Sequence, residues 1–176
     1  MSQRRKASAT REEAAEQAMR GNEQVIAKLN EGLREELTAI NQYFVHAEMC
    51  HNWGYHKLGN YIRKQSIGEM KHAEELLERI IFLDGTPKME PLPLTVGADV
   101  KAQLRNDLDL ELKAVVMYNE AMKTAREAGD NSSAELFERL LKDEEQHVDF
   151  LEAQMHLIEQ LGYERYLAQQ IEGQDH

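Results

Sequence analysis

Proline is confined to three positions, Pro87, Pro91 and Pro93, all within the stretch GTPKMEPLPLTVG. Elsewhere little opposes helix, because proline is absent, glycine is scarce and Glu, Leu, Ala, Lys and Gln dominate. Cysteine occurs once, as Cys50, which excludes an intramolecular disulfide and makes a reducing, cytoplasmic setting the expectation. Cys50 itself reads as a small buried apolar residue. No apolar run approaches the roughly 18 residues a membrane helix needs, so no membrane partner is expected. The basic MSQRRK is not followed by an apolar segment, which speaks against a secretory or twin-arginine signal, and Glu12, Glu13 and Glu16 argue against an organellar presequence. Positive charge is also in deficit: 21 Lys and Arg face 32 Asp and Glu, a net charge of -11. Nucleic acid, which needs clustered Lys and Arg, is thereby disfavoured, and cations are favoured.

What remains is a chain of helix formers long enough for one domain with its own core. Periodicity predicts helices over about 23–52, 55–83, 99–128, 132–160 and 163–171. Asn22, Asp99 and Asn131 or Ser132 are the expected N-caps, and Gly85, Gly129 and Gly162 the expected stops. Short turns near Gly54 and Gly129 imply two antiparallel hairpins. The proline-rich segment between them is long enough to run the length of a bundle. The expected fold is all-α, an antiparallel four-helix bundle with one long crossover and a short fifth C-terminal helix, occupying residues 22–172. Residues 1–21 are expected to form a mobile extension whose short helix, opened by Thr10 and Glu13, frays; residues 173–176 form a tail.

With 24 Glu and 7 His in 176 residues, a Glu three places before a His is expected about once by chance. It occurs three times, as Glu48/His51, Glu69/His72 and Glu144/His147. Two of these carry a further regularity. A glutamate stands 33 residues before each, Glu36 before Glu69 and Glu111 before Glu144, and the whole set repeats at an offset of 75 residues. Tyr43 likewise becomes Tyr118, and ELTAINQY aligns with ELKAVVMY. Glu48/His51 has neither partner and reads as surface. Within the first hairpin Glu36 lies 17 residues before Trp53 and Glu69 16 after it, so the two stand at one height; Glu111 and Glu144 do the same about Gly129. A His three residues along a helix shares the face of its Glu. Facing hairpins would therefore gather four carboxylates and two imidazoles in the interior, a set that bare burial would force to take up protons. Two divalent cations would offset the charge. Carboxylate and imidazole without thiolate suit iron or manganese, and a pair of such metals can exchange electrons two at a time with dioxygen or peroxide. A Glu from each of two helices and a Glu-x-x-His from each of the others is the ligand set of ferritin-like di-iron proteins.

From about residue 22 to 172 the sequence resembles the bacterioferritins, most specifically in ELTAINQYF, SIGEMKHAEELLERIIFLDG and DEEQHVDFLE. The resemblance implies a 24-subunit homo-oligomeric shell, built from dimers, that oxidises Fe(II) as a ferroxidase and stores ferric mineral. Two iron ions per subunit are implied: Glu36 and His72 hold one, Glu111 and His147 the other, and Glu69 and Glu144 bridge them. Tyr43 matches the family's redox-active tyrosine, though a structural phenol bonded to a carboxylate fits equally. Met70, about 100° around the helix from Glu69, matches the residue that ligates haem b between two subunits, with Leu37, Ile40, Phe44 and Trp53 as the pocket; packing at an interface is the plainer alternative. A bacterioferritin-associated ferredoxin is the implied partner for iron release. Lys64 and Gly68 replace the His and Asp of the family's inner-cavity iron site, which implies that this site is missing and leaves the route of iron and electrons into the cavity open. The alternatives are a non-storage di-iron peroxidase of the rubrerythrin-like class, for which one cysteine cannot build the Cys₄ centre, and a metal-free helical interaction module.

Overall fold

Where glycine and proline are sparse the chain is helical, and where they gather it is not. A computed structural model describes residues 21–171. Its helices are α1 (Glu23–Asn52), α2 (His56–Phe82), α3 (Val100–Glu127), α4 (Asn131–Leu161) and α5 (Tyr163–Ala168). The long helices are 27 to 31 residues, each roughly 45 Å at 1.5 Å per residue. α1/α2 and α3/α4 are antiparallel hairpins, and α1 also packs on α3. Of the expected N-terminal extension (residues 1–21), residues 1–20 with the Thr10/Glu13 cap lie outside the described residues, as does the tail (173–176), while the Gly21 amide donates to the Leu83 carbonyl.

The caps follow the sequence with two exceptions. Asn22 Oδ1 accepts from the Gln24 and Val25 amides, and Asp99 Oδ1 from Ala102. α4, however, is capped by Asp130 and not by Asn131 or Ser132: its Oδ1 accepts from the Ser133 amide at 3.0 Å while Arg79 holds the same carboxylate at 2.6 Å. The second exception is at the end of α2, where Asp84, with φ +57°, takes the left-handed position assigned to glycine. Gly85 follows it and closes the helix by donating to the Ile80 carbonyl, in a space where a Cβ would lie 2.8 Å from Ile26 Cγ2. The two hairpin turns use glycine itself, Gly54 at φ +86° and Gly129 at φ +73°. α5 ends three residues earlier than its periodicity suggests; the Lys57 amide bonds the Gln170 carbonyl, and Tyr166 is buried with its hydroxyl on Gln154.

The crossover, residues 83–99, is not held by a core of its own. It is bonded to a stripe of α1 at every fourth residue. Asn30 accepts from the Lys88 amide and donates to the Thr86 carbonyl, and Arg34 donates to the Glu90 carbonyl. Thr38, Gln42 and His46 accept from the amides of Leu92, Thr95 and Gly97. Because Gly97 donates to His46 Nε2, the imidazole proton lies on Nδ1, which faces Asp107 at 2.9 Å; Gln42 donates to the same carboxylate. Gly97 is packed so closely on the start of α3 that a Cβ there would lie 2.3 Å from the Gln103 nitrogen.

Two apolar clusters fill the bundle. One, around Leu29, Leu76, Phe137 and Leu140, occupies the end near the α3–α4 turn; the other, around Cys50, Leu58, Leu104 and Ile158, occupies the end near the α1–α2 turn. Between them the inward helical positions continue unbroken, but they are occupied by Glu36, Glu69, His72, Glu111 and Glu144. A polar layer divides the core.

Candidate metal centre

Each long helix delivers its ligand through core periodicity: α1 runs Val25, Leu29, Leu33, Glu36, and α2 runs Leu58, Ile62, Glu69, His72, Leu76. Glu36, Glu69, Glu111 and Glu144 are all at most 3% exposed, and His72 is 8% exposed. The structure thus brings together all six predicted ligands. His72 Nδ1 lies 2.8 Å from Glu69 Oε2, 3.3 Å from Glu144 Oε1 and 3.7 Å from Glu36 Oε2. His147 Nδ1 lies 3.0 Å from Glu69 Oε1, 3.0 Å from Glu144 Oε2 and 3.4 Å from Glu111 Oε1. Glu69 and Glu144 therefore show one oxygen to each histidine, whereas Glu36 approaches only His72 and Glu111 only His147. Two groups, Glu36, Glu69, His72, Glu144 and Glu69, Glu111, Glu144, His147, each bring one ligand atom per residue within 4.8 Å of every other.

Close as they are, these atoms do not satisfy one another. Both oxygens of Glu69 and of Glu144, and Nδ1 of both histidines, are buried without a hydrogen bond. Native interiors leave few such atoms, and a cluster of them calls for a missing partner such as an ion. Six such atoms within two overlapping groups could hold metal, and oxygen with imidazole nitrogen suits iron or manganese.

Tyr43 donates to Glu111 and Tyr118 donates to Glu36, each from the opposite hairpin. Tyr43 thus stands at the site as expected. Tyr118 is a site residue that the sequence reading paired with Tyr43 but did not assign; the 75-residue offset was the signal. The Glu48/His51 pair lies apart from the site, with Glu48 exposed and held by Arg63 and His51 half-buried and bonded to Asn60.

Charge within the layer is divided unequally. Burial, then the charges of Glu144 and Glu69, push the Glu36 carboxyl well above its usual range. Burial does the same to Glu111, outweighing its contact with His147. Burial also opposes ionisation of Glu69, but His147 and His72 outweigh it and hold this carboxyl down, to about 2; burial and Glu69 oppose Glu144, which the two histidines also lower. Burial disfavours both imidazolium ions, yet the surrounding glutamates raise both above the ordinary histidine range.

Residues 26–161 match the ferritin-like domain family. The bacterioferritin of Mycolicibacterium paratuberculosis is 43% identical over 152 residues, 86% of this chain and 96% of that protein. Those of Brucella melitensis and Streptomyces coelicolor are each 44% identical, over 84% and 88% of this chain and 92% and 93% of their own lengths. The chain belongs to the bacterioferritin family. The family's expected fold is the one observed, and no helix among the described residues is long and apolar enough to cross a membrane.

Met70 points away from the carboxylate layer and is 55% exposed, on an apolar groove of about 560 Å³ that Leu33, Leu37, Ile40, Ile67, Leu77 and Met89 also line. A thioether in an open apolar groove fits the haem the family implies. Leu37 and Ile40 are in this groove, and Phe44 is exposed beyond it against Arg63. Trp53 is not brought to it; it lies at the α1–α2 turn, edge-on to Tyr55. At the inner-site positions Lys64 is exposed, and nothing lies within 4 Å of where a Cβ on Gly68 would be.

Proposed function

We propose that this protein stores and detoxifies iron: it oxidises Fe(II) at the six-residue centre and retains the ferric product as mineral inside a shell of 24 copies. The observation that carries this reading is the set of six orphaned, buried ligand atoms on Glu69, His72, Glu144 and His147. Two Fe(II) are the substrates. Glu36 with His72 holds one and Glu111 with His147 the other, while Glu69 and Glu144 span the pair. Each Fe(II) gives one electron; with two protons, dioxygen is reduced to hydrogen peroxide, or hydrogen peroxide to two waters. Protons and metal compete for Glu36, Glu111, His72 and His147, whose surroundings favour the proton-bound form. Tyr43 and Tyr118 fix the terminal carboxylates through their hydroxyls.

Met70 and its partner-subunit copy would hold haem b across a twofold contact, where the haem supplies electron transfer for reductive release, with a bacterioferritin-associated ferredoxin as donor. The cytoplasm is the proposed setting. Aerobic addition of Fe(II) at well over a hundred per shell equivalent, followed by size fractionation, tests the reading. Iron co-eluting with a large particle far above two per chain is the expected result. Saturation at two per chain on a small species would overturn storage and leave a di-iron oxidase or peroxidase.

A further inference from the structure

The 75-residue offset relates more than the six ligands. It maps Glu36 onto Glu111, Glu69 onto Glu144, His72 onto His147 and Tyr43 onto Tyr118, and the structure makes these relations reciprocal: Tyr43 bonds Glu111, Tyr118 bonds Glu36, and the two imidazoles face the same two bridging glutamates. The centre is close to twofold symmetric. At one position the symmetry fails. The outward nitrogen of His72, Nε2, lies 3.4 Å from Asp143 Oδ2, across the bundle on α4. Asp143 is itself oriented, since its other oxygen accepts from Gln146 Nε2 at 3.3 Å. The counterpart of Asp143 on α2 is residue 68, which is glycine, with open space where its side chain would begin. Among the described residues no carboxylate lies at ion-pair distance from the outward nitrogen of His147, which shares its small cavity with Tyr61 and Gln65.

A carboxylate behind a metal-binding imidazole keeps the proton on the outer nitrogen, leaves the inner one bare, holds the ring in plane and makes it a better donor. One histidine here has that support and the other does not. We infer that Asp143 is a positioning residue, and that with Gly68 it makes the two metal positions unequal: a tighter one at Glu36/His72 and a weaker, more readily exchanged one at Glu111/His147. This inference rests on the di-metal reading above.

Anaerobic titration of the assembled protein with Co(II), followed by its visible absorption, separates the two claims. The wild type should bind two Co(II) per chain in two unequal steps, and His147→Ala should remove only the weaker. Asp143→Asn should weaken the tighter step by about 10- to 100-fold, the usual effect of removing the group behind a metal-bound histidine, with the weaker step and the helical circular dichroism unchanged. Gly68→Asp should tighten the weaker step. Equal affinities in the wild type, or equal weakening of both steps by Asp143→Asn, would overturn the inequality while leaving the di-metal centre standing. No Co(II) uptake by the wild type would overturn both.

Discussion

A carboxylate at a core position survives only if something positive meets it. At Glu36, Glu69, Glu111 and Glu144 the candidates are protons or metal, and the two compete for the same atoms. Metal binding competes with protons at Glu36, Glu111, His72 and His147, all held above their ordinary ranges. Co(II) binding in weak buffer should therefore release protons, read with an indicator dye, and the sign follows: affinity falls as pH falls, because protons regained compete with metal. Binding without proton release would contradict this competition. Glu69→Ala or His72→Ala should abolish rapid Fe(II) oxidation, followed by ferric absorbance, with the particle still assembled. The reciprocal tyrosines supply their own control. If both phenols only hold carboxylates, Tyr43→Phe and Tyr118→Phe should cost alike, about 1 kcal/mol or roughly five-fold in metal affinity. A much larger loss of oxidation rate in Tyr43→Phe alone, at equal affinity, would identify Tyr43 as an electron donor.

At the scale of elements, the helices were legible because local rules and packing agree: glycine and proline mark the ends, and the apolar period runs straight through the ligands. The centre was legible for a different reason, since the 75-residue offset places equivalent side chains at equal heights in two hairpins. What sequence reasoning could not see is the attachment of the crossover. Asn30, Arg34, Thr38, Gln42 and His46 lie at every fourth residue and look like a solvated face. Their partners are backbone groups 51 to 58 residues away, and no local rule predicts a bond at that separation. Asp130 displaced the expected caps for a similar reason, because Arg79 on α2 fixes its carboxylate. Two glycines test the packing directly. Gly97→Ala forces a Cβ onto the backbone of Gln103, and should cost about 1–3 kcal/mol. Gly68→Ala meets nothing within 4 Å in mid-helix, and should gain up to about 1 kcal/mol from helix propensity. Thermal midpoints moving the same way in both variants would refute this account of the two sites.

For the whole molecule, chemistry and storage reside at different levels. All six ligands come from one chain, whereas a mineral cavity needs many. The surface that joins copies is suggested by its own exposure: Phe44, Ile67, Met70 and Met89 are each more than half exposed on one side of the α1/α2 hairpin, and an apolar patch of that kind calls for a partner. A second copy of this chain covering the patch would also place two Met70 thioethers together. Met70→Ala removes the haem ligand but little of the apolar surface, so the expected product is an assembled, colourless protein that still oxidises Fe(II). Ile67→Glu instead puts a charge into the contact, where desolvation without a partner is costly. That variant should elute as a small species, oxidise two Fe(II) per chain on first addition, and then shed ferric hydroxide as a precipitate because no cavity holds it. If the small species oxidised no iron, the centre would require the neighbouring subunit, and the assignment of all six ligands to a single chain would fail.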